Sequence, residues 1–173
     1  MNPRSILIGF GCCALLSVPA LAQSTGLSTS DKEFMKIAAQ SDMTEAHLGQ
    51  VAQDQASQAD LKDFGRTLAQ DYTNAYNELT ELANKTGETI PKGIDVYRNK
   101  ALAHLIRLKG NTFDHPFLRR EIQDHKLELA RFKREAARGQ DPDVKAYASK
   151  MIPTLEEQLH KARALAKSEK HTS

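Results

Sequence analysis

Four side chains in this sequence have the types and spacing to do chemistry together: the carboxylate of Glu45, the phenol of Tyr72, the imidazole of His125 and the amide of Gln158. Each stands near the middle of an otherwise apolar stripe with helical spacing. Four such helices in ordinary register bring the four groups face to face. A buried polar group without a partner costs about 1–3 kcal/mol. Mutual bonding is therefore expected, with Glu45 accepting from His125 and Tyr72 and with Gln158 closing the network. Two readings follow. One is a satisfied polar layer that fixes helix register. The other is a metal site with Glu45 and His125 as ligands. The sequence favours the first, because an amide is a poor ligand and a lone buried histidine is more often structural.

Other groupings carry less. A ferritin-like di-iron site needs two Glu-x-x-His motifs and a further Glu from each of two other helices. Glu157-Gln158-Leu159-His160 has that spacing, but His160 falls off the stripe. Glu121 and His125 are one helical turn apart and could share an ion, without a second matching pair. No di-iron centre is expected. His47, His104, His115, His160 and His171 are scattered and read as surface residues. The chain has no Gly-x-Ser-x-Gly elbow, phosphate loop or Cys-x-x-Cys-His haem site, so no catalytic or cofactor-binding residues are assigned and enzymatic activity is not expected.

The elements that must position these residues are four long helices. Ser30 and Glu33 read as a capping box for the first, with Phe34, Ile37, Ala38, Ser41, Glu45, Leu48 and Ala52 on one face. Ser57 reads as the cap of the second, whose stripe runs Leu61, Phe64, Gly65, Leu68, Tyr72, Ala75, Leu79, Leu82 and Ala83, with Gly87 as a left-handed stop. The third starts between Asn111 and Pro116 and carries Leu118, Ile122, His125, Leu129, Phe132 and Ala136 up to Gly139. Asp141-Pro142 opens the fourth, with Val144, Tyr147, Ala148, Met151, Leu155, Gln158, Ala162 and Leu165. Pro153 predicts a kink or break there. Residues 88–110 form a crossover, broken by Pro91 and Gly93 and holding a shorter helix from Asp95 to Lys109. Gly49 and Gly65 read as points of close helix approach.

The sequence also repeats itself. Asp60-Leu61-Lys62-Asp63-Phe64-Gly65-Arg66-Thr67-Leu68 and Asp143-Val144-Lys145-Ala146-Tyr147-Ala148-Ser149-Lys150-Met151 share one pattern of acid, aliphatic, Lys, aromatic, small and large apolar residues. Two similar helix pairs joined by one long crossover predict an all-α, ferritin-like four-helix bundle.

Met1 to Ala22 reads as a secretory signal peptide, with Arg4, an apolar run to Val18, and Ala20-Leu21-Ala22 as the cleavage site. Both cysteines, Cys12 and Cys13, fall inside it, so a mature chain has no disulfide or thiolate chemistry. Residues 23–29 form a polar linker, 30–168 the bundle domain and 169–173 a disordered tail. The formal charge of +2, lowered by one on loss of Arg4, is dispersed, which argues against nucleic acid as a partner.

With these residues placed, the chain resembles the bacterial family called domain of unknown function 4142. The resemblance runs from Asp31 to Ala166. It is carried by residues 42–49 and 60–71, Gly110-Asn111-Thr112-Phe113-Asp114, Gln123-Asp124-His125, residues 141–145 and Pro153-Thr154-Leu155. It implies a ferritin-like fold and a place in the cell envelope, since members carry an outer membrane label. The family pattern favours histidine where this chain has Tyr72 and Gln158; His125 is present, and Glu45 matches a favoured acid. The expectation is an exported, periplasmic or outer-membrane-associated bundle that binds a protein or envelope partner or protects under stress. Membrane association would be peripheral at most, and no cofactor is expected. The alternative is a metal-binding or redox protein with a degenerate site around Glu45 and His125, holding a transition-metal ion.

Overall fold

The computed structural model describes residues 26–169. The signal peptide expected at 1–22, with Cys12 and Cys13, lies outside these residues, as do residues 23–25 of the linker and 170–173 of the tail. Five α-helices are present: α1 (Thr29–Gln55), α2 (Ala59–Thr86), α3 (Val96–Leu102), α4 (Asn111–Arg138) and α5 (Pro142–Glu169), with a 3-10 turn at Leu105–Arg107.

Helix α1 pairs with α2 and α4 with α5, and the pairs meet through α1 against α4 and α2 against α5. The end of α1 meets the start of α4, where Gly110 N–H donates to Gln55 O. The start of α1 meets the end of α4, where Gln140 and Asp141 donate to Asp31. Lys85–Asp143 and Lys150–Glu78 likewise run α2 and α5 past each other in opposite directions. Every neighbouring pair is therefore antiparallel, and α2 ends at the opposite end of the bundle from the start of α4. A helix of 28 residues is about 42 Å long, so the crossover must travel that length. It runs along α1: Gln40 Nε2 donates to Gly93 O, and Gln55 Nε2 donates to Ile106 O. This single-crossover topology is the ferritin-like bundle expected from the sequence.

The expected stripes of α2 and α5 are buried, with Leu159 added on α5. The repeated segments open α2 and α5, and Leu61, Phe64, Gly65 and Leu68 match Val144, Tyr147, Ala148 and Met151 in burial. A Cβ on Gly49 would lie 2.5 Å from Gly65 O and from Ala69 N, so α1 and α2 touch backbone to backbone there. Gly87 closes α2 at φ 69, the left-handed conformation glycine adopts without penalty. Asp141 caps α5 by accepting from Asp143 and Val144 N–H.

Several local expectations need correction. Ser28, not Ser30, caps α1, accepting from Asp31 N–H at 3.1 Å. Ser57 does not cap α2; its N–H and hydroxyl both turn to the Asp114 carboxylate and tie the α1–α2 turn to α4. Helix α5 runs unbroken through Pro153, because Pro153 and the Ser149 carbonyl it cannot serve lie on the exposed side while Met151 and Leu155 hold the buried side. The crossover helix stops at Leu102 and resumes only as the 3-10 turn, since a chain spanning the bundle cannot stay at 1.5 Å per residue. Helix α5 also continues to Glu169, into the segment expected as tail.

The largest correction concerns α4. Ile122, Leu129 and Ala136 are only partly buried. Its buried face is instead Glu121, His125, Glu128, Phe132 and Glu135, preceded by Phe113, Asp114, Phe117 and Leu118.

Candidate metal centre in the bundle core

Two aromatic clusters bracket the middle of the bundle. Phe34, Phe132 and Tyr147 meet toward one end, with Phe34 and Phe132 edge to face at 5.0 Å, and Phe64, Phe113 and Phe117 meet toward the other. The polar layer lies between them. Helix α1 supplies Asp42 and Glu45, α2 supplies Tyr72, α4 supplies Glu121, His125 and Glu128, and α5 supplies Gln158, all at most 4% exposed. Positions 121, 125 and 128 are spaced by four and three, which puts them on one face of α4.

His125 is the hub. Its Nδ1 lies 2.9 Å from the backbone O of Glu121 and 3.6 Å from the Glu121 carboxylate. Its Nε2 lies 3.1 Å from Gln158 Oε1 and 3.3 Å from Tyr72 Oη. Gln158 is oriented by donating from Nε2 to Asp71 Oδ2 at 3.0 Å, which leaves its oxygen toward the imidazole. Tyr72 does not donate to Glu45, as expected from the sequence, but to Glu128 Oε2 at 2.8 Å. Tyr147 donates to Asp42 Oδ2 at 3.2 Å.

Of the four residues singled out in the sequence, Tyr72, His125 and Gln158 are thus directly linked. Glu45 joins them through space: ligand atoms of Glu45, Glu121 and His125 all lie within 4.8 Å of one another. As ionised carboxylates, Glu45 Oε2 and both oxygens of Glu121 would be buried without a hydrogen-bond donor. Burial first, then the charges of Glu121, Glu128 and Asp124, push Glu45 well above the usual carboxylate range. Burial pushes Glu121 up to about 7, against the opposing pull of His125. Burial and Glu128 raise Asp42 in the same way, although the Tyr147 hydroxyl works against them. Burial and the same acids keep the Tyr72 phenol protonated.

Such a cluster has two ways to become comfortable. It can hold protons, or it can hold a cation. Two carboxylates and an imidazole from α1 and α4 are oxygen and nitrogen donors suited to Zn²⁺, Mn²⁺ or Fe²⁺, and the orphaned oxygens fit a cation's demand. The expected pair Glu45 and His125 is brought together, and Glu121 completes it. Gln158 and Tyr72 sit on the other nitrogen of the ring. His104, His115 and His160 are exposed and His47 is half-buried, and none joins the cluster. His171 lies outside the described residues.

Sequence reading passed over Asp42 and Glu128 and gave Glu121 no third partner. A signal was present. Glu121, His125, Glu128, Phe132 and Glu135 follow the four-three alternation as faithfully as the apolar residues one position on.

A family model described as domain of unknown function (DUF4142) matches residues 16–165. No curated protein matches the chain. Among solved structures, the chain is similar to the crystal structure of a DUF305 fragment from Deinococcus radiodurans, with a TM-score of 0.72 and 12% identity over 83% of this chain and 99% of that one. At that identity the likeness is one of fold.

Proposed function

The chain belongs to the family described as domain of unknown function (DUF4142), and on that premise we propose that it is an exported, non-enzymatic helical bundle of the bacterial envelope whose interior holds one divalent transition-metal ion on Glu45, Glu121 and His125. The observation that carries this reading is the meeting of these three groups within 4.8 Å in the bundle core, where the Glu45 and Glu121 carboxyls bond each other and Glu121 lies 3.6 Å from His125 Nδ1. Buried charges are paired or coordinate metals, and no Lys or Arg is buried anywhere among the described residues. Two carboxylates neutralise a divalent ion. The ion would supply Lewis acidity in a site closed to bulk water, while Gln158 and Asp71 fix the imidazole as an outer shell.

Elemental analysis of protein purified without chelator tests it. One ion of Zn, Mn, Fe or Cu per chain is expected, lost in His125→Ala and in Glu121→Gln. Less than about a tenth of an ion per chain, after incubation with each metal, overturns the reading.

A second reading is favoured by one observation: both ring nitrogens of His125 face acceptors, Glu121 O and Gln158 Oε1. Each ring nitrogen then has a hydrogen-bond partner without an ion. The layer would then be a proton-filled network that fixes register, and metal-free protein with unchanged His125 contacts would support it.

Export rests on the leader read at 1–22. N-terminal sequencing of the envelope fraction should begin at Gln23. No helix among the described residues is long and apolar enough to cross a membrane, so release by a high-salt wash is the expected outcome for any membrane-bound fraction. Retention would point to tighter attachment.

A further inference from the structure

Three large apolar side chains stand out from the surface among the described residues: Tyr97 is 85% exposed, Val96 63% and Leu127 58%. Two come from the crossover helix and one from α4, and the fold brings them together. Gln40 of α1 holds the start of α3, donating to Gly93 O at 2.8 Å and accepting from Asp95 N–H at 2.9 Å. Further along, Ala101 and His104 share a groove with Arg120, Gln123 and Asp124 of α4. The crossover runs opposite to α4. Tyr97, one turn before Ala101, is therefore level with Leu127, one turn after Gln123.

The same edge of α4 is basic. Leu127, Arg131, Arg134 and Arg138 are spaced by four, three and four, so they share one face. The acids of that stretch, Glu128 and Glu135, are buried. Among the described residues the arginines that form ion pairs are Arg66, Arg98 and Arg120; Arg131, Arg134 and Arg138 form none. Grouped apolar side chains rimmed by charge mark an interaction surface.

We propose that this face, formed by Val96 and Tyr97 of α3 and by Leu127, Arg131, Arg134 and Arg138 of α4, docks the bundle on an anionic phospholipid surface. Guanidinium groups match phosphate oxygens, and a projecting phenol with two aliphatic neighbours suits the headgroup layer. An acidic peptide would answer the arginines alone. The apolar side chains stand free of the surface instead of lining a groove, so a soft interface that closes round them fits both halves. The proposal deepens the envelope placement above and is independent of the metal reading.

The test is co-sedimentation of the chain beginning at Gln23 with vesicles of phosphatidylglycerol or of phosphatidylcholine. Every element of the bundle lies within residues 26–169, so this chain keeps the fold and lacks the apolar run of the leader. Binding to phosphatidylglycerol should exceed binding to phosphatidylcholine by at least about tenfold and be lost at about 0.5 M salt. Arg134→Gln with Arg138→Gln should weaken it roughly tenfold. Lys161→Gln with Arg163→Gln, which removes the same charge from α5, should leave it within about twofold. The chain has no tryptophan, so Tyr97→Trp adds a sole indole, whose emission should shift to the blue on anionic vesicles.

Equal binding to the two lipids overturns the proposal, as does an equal loss in the two charge variants. An unshifted indole on vesicle-bound protein means that another face meets the lipid. A blue-shifted indole in lipid-free protein that sediments as a dimer means that a second copy covers this face, which also overturns it. None of these results depends on export, which N-terminal sequencing decides separately.

Discussion

Glu135 on α4 faces Asp31 on α1, and the proton affinities of the two carboxyls shift in opposite directions. Burial works against Asp31, but N–H groups of Gln140 and Asp141, with Glu135 and Ser28 beside them, hold it below its usual range. Burial, the bond to Asp31 and the Asp31 charge push Glu135 up to about 7, against Arg134 and Lys145. The pair stands at the end of the bundle where the α4–α5 turn meets the start of α1.

That pair makes stability depend on pH. Glu135 rises from 4.5 to about 7 on folding, so between those values the folded chain binds more protons than the unfolded one. Stability is fully present below about 4.5 and is lost as pH climbs through about 7. After discounting for solvent screening near the bundle end, the loss is roughly 1–2 kcal/mol. Urea melts of Glu135→Gln at pH 5 and pH 8 should show a smaller difference than wild type. An identical difference means that the pair holds no proton.

Gly49→Ala should destabilise the bundle, although alanine is the better helix former by about 1 kcal/mol. The added methyl would meet backbone atoms of Gly65 and Ala69 at 2.5 Å, and forcing two backbones apart costs about 1–3 kcal/mol or more. Gly93→Ala, where a Cβ meets nothing within 4 Å, is the control. Thermal melts should lower Tm in the first and leave it unchanged in the second.

Tyr72→Phe removes the hydroxyl that donates to Glu128 at 2.8 Å. A buried acceptor that loses its donor costs about 1–3 kcal/mol. Denaturant unfolding measures that loss. A loss of less than a few tenths of a kcal/mol would mean that water replaces the phenol.

Tyr72 and Gln158 both lie within 3.3 Å of His125 Nε2, so histidines there would approach the same ring. Tyr72→His with Gln158→His should bind transition metals more tightly than the parent, because two imidazoles would join His125 Nε2 as donors on the side of the ring away from Glu121. Calorimetric titration with Zn²⁺ reads the gain. Affinity equal to wild type would show that the new rings cannot converge on one ion.

The architecture was legible from spacing. The stripes of α2 and α5, the Gly87 stop, the Asp141 cap and the glycine contact follow from local rules, because helical periodicity and turn chemistry act within a few residues. Capping choices between Ser28 and Ser30 were not, since either serine can start a helix and the neighbouring turn decides. Nor was the burial of Asp114, Glu121, Glu128 and Glu135. Seven-residue spacing of acids reads as a solvated face until something packs on it.

The sequence by itself therefore determined four helices, their order and a polar residue within each stripe. It determined that His125 would be inside. Only the tertiary structure decided what surrounds that histidine. Whether Ile122 or Glu121 faces inward is a rotation of α4 by about 100°, too fine for local pattern when both faces have helical spacing. It is fixed by the Tyr72 hydroxyl on Glu128, the Gln158 amide on His125 and the aromatic contacts of Phe117 and Phe132, which come together only once the crossover has laid α4 antiparallel to α1.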